Sequence, residues 1–188
     1  MNIKTLNQRG IVLTELLFTI FIVSFVFGIV YSSFLLNQKA SRVSVKKTEL
    51  AQNGRAIIER ISREIRQAKV IVTVLPDQES EATDTIIFED GHVSDSYHYI
   101  RYFKENNFIK REIFGYYFSF DPSQELVPWN SIPPSGSLVK YQIETEEVIG
   151  EYVNVFDFWG SKPIYISLEL EKESEFLKMK NSIFPRNL

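Results

Sequence analysis

The chain of 188 residues contains no cysteine. That excludes disulfide staples, thiol chemistry and any cysteine-based metal site. Histidine is nearly absent too: only His92 and His98 occur, and no nucleophile motif accompanies either, so Ser-His-Asp chemistry has no support. There is no glycine-rich phosphate loop. No proline interrupts residues 11–69, so that stretch holds no residue that lacks an amide donor and breaks a helix. A formal net charge of −3 gives no general pull toward nucleic acid. Arg60, Arg63, Arg66 and Lys69 make a partial basic stripe, but glutamates interleave it, and no nucleic-acid partner is expected. Charge itself is missing from one long segment: between Glu15 and Lys39 no charged residue occurs.

That uncharged segment is the organising feature. The run Leu16 to Gln38 makes, at ~1.5 Å per residue, a helix of about 34 Å. A hydrocarbon core is ~30 Å thick, so the run is long enough to span it. It is too long for a secretory signal peptide, and no small-x-small cleavage site follows it. Before it stands a short leader carrying Lys4 and Arg9 and ending in Gly10. Glu15 is the single charge at the mouth of the span. A carboxylate there is costly, roughly 2.5–3.5 kcal/mol at a helix centre and less near an edge, so a residue kept there needs a partner or a function.

The segment Arg9-Gly10-Ile11-Val12-Leu13-Thr14-Glu15 resembles the prepilin-type signal of type IV pilins and of the pseudopilins of type II secretion systems. The resemblance implies that a prepilin peptidase cuts between Gly10 and Ile11 and that the amine of Ile11 is methylated. It implies that Glu15 meets the free amine of a neighbouring subunit during assembly. A buried carboxylate is tolerated when an opposite charge and hydrogen bonds reach it. Ile11 departs from the more usual phenylalanine or methionine, and the threonine stands at Thr14. The alternative reading of the same residues is an uncleaved signal anchor, with Glu15 as its polar flank.

Charge does not orient the span. The leader offers Lys4, Arg9 and the amine, and the far flank offers Lys39, Arg42, Lys46 and Lys47. The resemblance implies a cytoplasmic leader and an extracytoplasmic body.

Beyond the span, Leu50, Gly54, Ile57, Ile61, Ile65 and Ala68 recur every three or four residues. This predicts an amphipathic helix from Ser41 to about Lys69 with one apolar stripe. Glu59 with Arg63, and Arg60 with Glu64, lie one turn apart on its outer face. Gly54 costs about 1 kcal/mol against alanine in a helix, so it marks either a close approach to a sheet or a soft point. Gly28 holds the same place within the span. The stretch Asn53 to Ala68, NGRAIIERISREIRQA, resembles the helix of J-type minor pseudopilins and W-type minor pilins at Glu59, Arg60, Arg66, Gln67 and Ala68. The missing proline also resembles a minor rather than a major pilin.

Downstream the pattern turns to strands. Thr85–Phe88 reads as a short buried strand closed by Asp90-Gly91. Tyr97–Phe103 and Phe108–Ile113 read as a hairpin about Glu105-Asn106-Asn107, and Tyr116–Phe120 prolongs it past a bend at Gly115. In that hairpin Phe108, Lys110 and Glu112 share one face, and Ile109, Arg111 and Ile113 the other. Leu138–Ile143 and Tyr152–Phe158 are further strands. Pro163–Leu170 alternates, with Ile164, Ile166, Leu168 and Leu170 inward. Phe176–Phe184 is the last strand. The phrase from Val153 to Leu170, with its Trp159-Gly160 turn, and the closing Pro185-Arg186-Asn187-Leu188 again resemble the J- and W-type members.

Two segments read as loops. Pro76–Asp84 is acidic, and its Asp77, Glu79, Glu81 and Asp84 lack the glycine and order of a calcium loop. Asp121–Gly136 is rich in proline, serine and asparagine, and long loops in compact domains are often functional. Trp129 within it is either a plug on the domain's own core or a contact residue. His92 and His98 with Asp90 and Asp95 have no metal-ligand spacing. No cofactor is expected.

The expected fold is α+β: a pilin-like long N-terminal helix, transmembrane in its first half, packed on a C-terminal antiparallel β-sheet. The expected divisions are a leader at 1–10, an assembly half at 11–38, an amphipathic half at 39–69 and a β-sheet domain at 70–188. The expected function is that of a minor pilin or pseudopilin, a non-enzymatic subunit of a type IV pilus or type II secretion-like filament, in a tip or initiation complex. The implied partners are prepilin peptidase, other pilin or pseudopilin subunits, an inner-membrane assembly platform and membrane lipid. The implied location is the inner membrane, crossed once, and then the pilus or pseudopilus. The competing expectation is a non-polymerising single-pass protein whose extracytoplasmic domain binds a ligand.

Overall fold

The computed structural model describes the backbone of residues 4–92, 97–133 and 136–186, with side chains from residue 13 onward apart from 142, 144 and 145. The chain is α+β. Helix α1 runs Lys4–Gln67, followed by a 3-10 turn at Glu79–Glu81 and seven strands. The strands are β1 (Thr85–Glu89), β2 (Tyr99–Glu105), β3 (Phe108–Phe118), β4 (Leu138–Gly150), β5 (Val153–Trp159), β6 (Ile164–Lys172) and β7 (Glu175–Ile183). Two compact units arise, Met1–Val45 and Lys46–Leu188.

In the second unit the strands divide into two antiparallel sheets, ordered β1-β2-β3-β4 and β5-β6-β7. The part of α1 from Lys46 onward packs on both. Its buried residues are Leu50, Gly54, Ile57, Ile58, Ile61, Ser62 and Ile65, with Ala68 just beyond, which is the predicted stripe with Ile58 and Ser62 added. The apolar side chains among them form one core with Ile86, Phe88, Ile100, Tyr102, Ile109 and Ile113 of the first sheet and Phe156, Phe158, Ile164, Ile166, Leu168 and Leu170 of the second. Each fully buried Ile, Leu or Phe is worth ~1.5–3 kcal/mol, so this shared layer dominates the stability of the unit.

Two glycines let the layers close. A Cβ on Gly54 would lie 2.7 Å from Met179 Sδ and 3.2 Å from Leu170 Cδ1. Gly54 therefore marks a close approach to β6 and β7. A Cβ on Gly150, at the end of β4, would lie 2.4 Å from Ile57 Cδ1, so the sheet makes room for the helix there. The helix ends where its sequence turns β-branched: Ala68 donates to Ile65 O at 3.2 Å in a closing turn, and Val70-Ile71-Val72 prefer extended backbone. That extended segment lies along the edge of β1, with Val72 and Thr73 N–H both reaching Ile87 O.

The Asn106-Asn107 turn joins β2 to β3 as predicted, with Asn106 at φ 53°. β3 runs unbroken through Gly115, with register shifts against β4 between Ile109 and Phe114. β4 extends well past the predicted end at Ile143. Its acidic second half is held by cations on neighbouring elements: Lys110 donates to Glu146 at 2.8 Å and Arg60 to Glu147 at 2.6 and 2.9 Å. Those partners make an acid-rich strand tolerable. The β6–β7 hairpin is tied to the helix by Lys46 with Glu173, by Lys47 with Glu175 at 3.3 Å, and by Lys172 with Glu49 at 2.5 Å.

Candidate functional site

In the first unit, every described residue from Leu13 to Leu36 is exposed, although the run is rich in Leu, Ile, Val and Phe. Phe18, Phe21, Phe25, Phe27 and Leu36 each leave more than 60% of their surface open. α1 is the one helix among the described residues long and apolar enough to cross a membrane. An apolar surface of this extent is of the kind that a membrane or a protein partner covers. Helical backbone suits either, because its polar groups bond within the segment. Glu15 is exposed in the first described turn of this run. Among the described residues no cation pairs with it. Thr19 Oγ1 donates to the Glu15 backbone carbonyl at 2.8 Å, absorbing its own hydroxyl within the helix. Gly10 and Ile11 fall in the helical backbone of α1, and the side chains of residues before Leu13 lie outside the described ones.

In the second unit, the helix carries more than a solvated outer face. Glu64 Oε2 accepts from the Tyr102 hydroxyl at 2.7 Å and from Arg111 Nε at 3.2 Å. Arg60 reaches Glu64 at 3.9 Å as the predicted one-turn pair, but its close partner is Glu147 of β4. Tyr102 is fully buried, and burial first, then the Glu64 carboxylate, push its hydroxyl far above the usual tyrosine range. The hydrogen bonds from Arg60 hold Glu147 below the usual carboxylate range. These groups fix where the helix lies along the sheet. The signal was present in the spacing: Ile57, Ile61, Glu64 and Ala68 follow one another by four, three and four residues, which puts Glu64 inside the apolar stripe.

The far face of the four-stranded sheet holds a second, smaller cluster. Tyr99, Phe114 and Tyr116 pack with ring centroids 5.4–5.9 Å apart. The long loop folds over them: Val127 N–H donates to Tyr116 O at 2.7 Å and Trp129 N–H to the Tyr99 hydroxyl at 2.9 Å. Trp129 is tied down by its backbone while 40% of its surface stays open. Glu112 is on the predicted face but is 5% exposed. It accepts from Lys140 Nζ at 2.5 Å, and Arg101 Nη1 lies 3.7 Å from its other oxygen. Alternation gave the face correctly; the cations of the neighbouring strands that enclose the carboxylate were not visible in it.

The remaining candidates do not converge on chemistry. His92 Nδ1 lies 2.8 Å from Asp90 Oδ1 on an exposed turn; His98, on the approach to β2, meets that turn through its backbone carbonyl, which accepts from the Asp90 N–H at 2.8 Å, and Asp95 is outside the described residues. Among the described residues no group of three or more acidic or histidine side chains is placed to hold a metal ion. Of the acidic loop, Glu79 binds Lys180 Nζ through both oxygens at 2.5 and 2.7 Å. Thr83 bridges Phe158 of β5 in both directions, at 2.8 and 3.1 Å. Asp157 of β5 is raised above the usual carboxylate range by burial first, then by Asp84, Glu169 and Glu79.

No family model, no curated protein and no solved structure matches the chain.

Proposed function

We propose that the chain is a minor pilin or pseudopilin, a structural subunit of an extracytoplasmic filament without catalytic activity. The observation that carries this reading is the exposed apolar helix from Leu13 to Leu36 with one carboxylate, Glu15, at its start. In the membrane that surface meets lipid, with the leader in the cytoplasm and the sheet unit outside. In a filament the helices of neighbouring subunits take the place of lipid, so one apolar face serves both states. Prepilin peptidase cuts after Gly10, the amine of Ile11 is methylated, and Glu15 receives the amine of an adjoining subunit on an inner-membrane assembly platform. Its lack of a described cationic partner within the chain leaves it open to that contact. The resemblance of residues 53–68 to J- and W-type members supports a position in a tip or initiation complex.

Mass spectrometry of the mature N-terminus from cells with an active prepilin peptidase tests the first step. A methylated Ile11 is expected, and an intact Met1 would overturn the reading in favour of a single-pass binding protein. Glu15→Val is expected to be cleaved normally and to be lost from sheared filaments. Unchanged incorporation would remove the assembly role of Glu15.

A further inference from the structure

β7 is the outer strand of the three-stranded sheet and, among the described residues, pairs with β6 alone. Its nine residues contain no proline, and it pairs with β6 without a register shift. β4, an outer strand of the four-stranded sheet, is interrupted by register shifts along its pairing with β3. A regular open edge is a template for another strand. Beside it runs an open groove of about 390 Å³ between α1 and β7. Ile58 and Met179 give the groove an apolar floor, and Arg55 and Arg66 stand on its helix side. Both arginines are exposed and, among the described residues, neither has an ion-pair partner. Glu59 is the one carboxylate in the lining. On the outer face, Phe176 and Phe184 flank the two ends of the edge with 77% and 65% of their surface open.

We propose that this edge receives an extended, acidic segment of another protein chain as a fourth strand. Main-chain hydrogen bonds to β7 supply the docking, and alternate side chains supply the selectivity. The inward-facing side chains of the added strand meet the groove. Arg55 and Arg66 are eleven residues apart, about 17 Å along the helix. At ~3.3 Å per residue, same-face strand positions four apart lie about 13 Å apart, a separation that two long, exposed arginine side chains can lean in to meet. The segment it fits therefore has an acid, an apolar residue and an acid at alternate positions, with the apolar one over Ile58 and Met179. A second copy of this chain is the poorer occupant. Antiparallel pairing of β7 with itself would set Lys178 and Lys180 against one another, and like charges directly opposite are destabilising. The surface stands whether or not the chain enters a filament.

The test uses the full chain in detergent and a fluorescent seven-residue peptide with Glu-Thr-Val-Thr-Glu at its centre. One control replaces both glutamates with lysine, and another replaces the valine with proline, which lacks the amide donor. The acidic peptide is expected to bind and to slow hydrogen exchange of the β7 amides. Roughly tenfold weaker binding is expected for the lysine peptide, and for the acidic peptide on an Arg55→Gln/Arg66→Gln variant, the loss of two solvent-exposed charge pairs near the upper end of their range. The variant keeps its thermal transition, since both side chains are exposed. Four results would overturn the proposal: no binding at about 1 mM peptide, equal binding of acidic and lysine peptides, undiminished binding to the variant, or equal binding of the proline peptide. Self-association of the full chain that protects the same β7 amides would give the edge to a second copy instead.

Discussion

The contact between Tyr102 and Glu64 offers a measurable check on how the helix is held to the sheet. Tyr102 is fully buried and its hydroxyl donates to Glu64 at 2.7 Å. Tyr102→Phe deletes the donor and little volume. A hydrogen bond to a charged group contributes ~1.5–3 kcal/mol. Glu64 keeps Arg111 at 3.2 Å and Arg60 at 3.9 Å, so the carboxylate is not orphaned and the low end applies, about 1.5 kcal/mol. Glu64→Leu is worse. It strands a buried hydroxyl and withdraws the carboxylate from Arg111, a loss of about 3 kcal/mol, the lower end for breaking a buried pair. The double variant replaces both members with apolar groups, and its loss should fall short of the sum by about 1–1.5 kcal/mol. Thermal unfolding of the full chain in detergent, followed by aromatic near-ultraviolet circular dichroism, reads all four proteins. Tyr102→Phe should lower the midpoint by about 5 °C at this size. Strict additivity, or a Tyr102→Phe variant as stable as the parent, would refute the claim that the pair positions the helix.

Two further outcomes follow from other parts of the fold. Asp157 is raised by burial and by Asp84, Glu169 and Glu79, so the folded state binds its proton more tightly than the unfolded state. A group raised in this way favours folding when protonated and loses that contribution as pH rises through its folded value. Asp157→Asn is therefore expected to stabilise at pH ~7 by under ~1 kcal/mol, with the advantage shrinking toward pH ~4, the ordinary aspartate value; unfolding midpoints at both pH values decide it, and a gap that widens in acid would contradict the assignment. Gly150→Val is expected to cost about 2–3 kcal/mol, because its first carbon would already stand 2.4 Å from buried Ile57; a shift in denaturation midpoint of the opposite sign would show that the helix and sheet are not in firm contact there.

Much of this architecture is written in periodicity. The Leu50-to-Ala68 stripe is buried as spaced, and Ile164, Ile166, Leu168 and Leu170 all turn inward as their alternation requires. The Asn106-Asn107 turn and the Trp159-Gly160 corner are local signals that need no tertiary context, the latter with Gly160 at φ 78°. Three features escaped because their cause is non-local. The second half of β4 lies beyond the predicted strand, which ends at Ile143, because its acidic residues pair with Lys110 and Arg60 of other elements. The burial of Glu112 is not stated by alternation; it depends on Arg101 and Lys140 of the neighbouring strands. The division into two sheets depends on which strand edges meet, and no run of residues states that. At the amino end the situation is reversed. Gly10, Ile11 and Glu15 were singled out entirely from sequence, and the roles proposed for them involve partners outside the chain.

The stretch from Thr83 to Glu89 belongs to both sheets. Thr83 is bonded in both directions to Phe158 of β5, and two residues later the same backbone becomes β1 of the other sheet. A seam sewn by one continuous thread cannot be opened on one side alone: pulling the three-stranded sheet away tugs directly on the outermost strand of its neighbour. Mechanical load entering through either sheet is therefore shared by both, and the amides of Thr83 and Phe158 should become labile together, only when the whole unit comes undone.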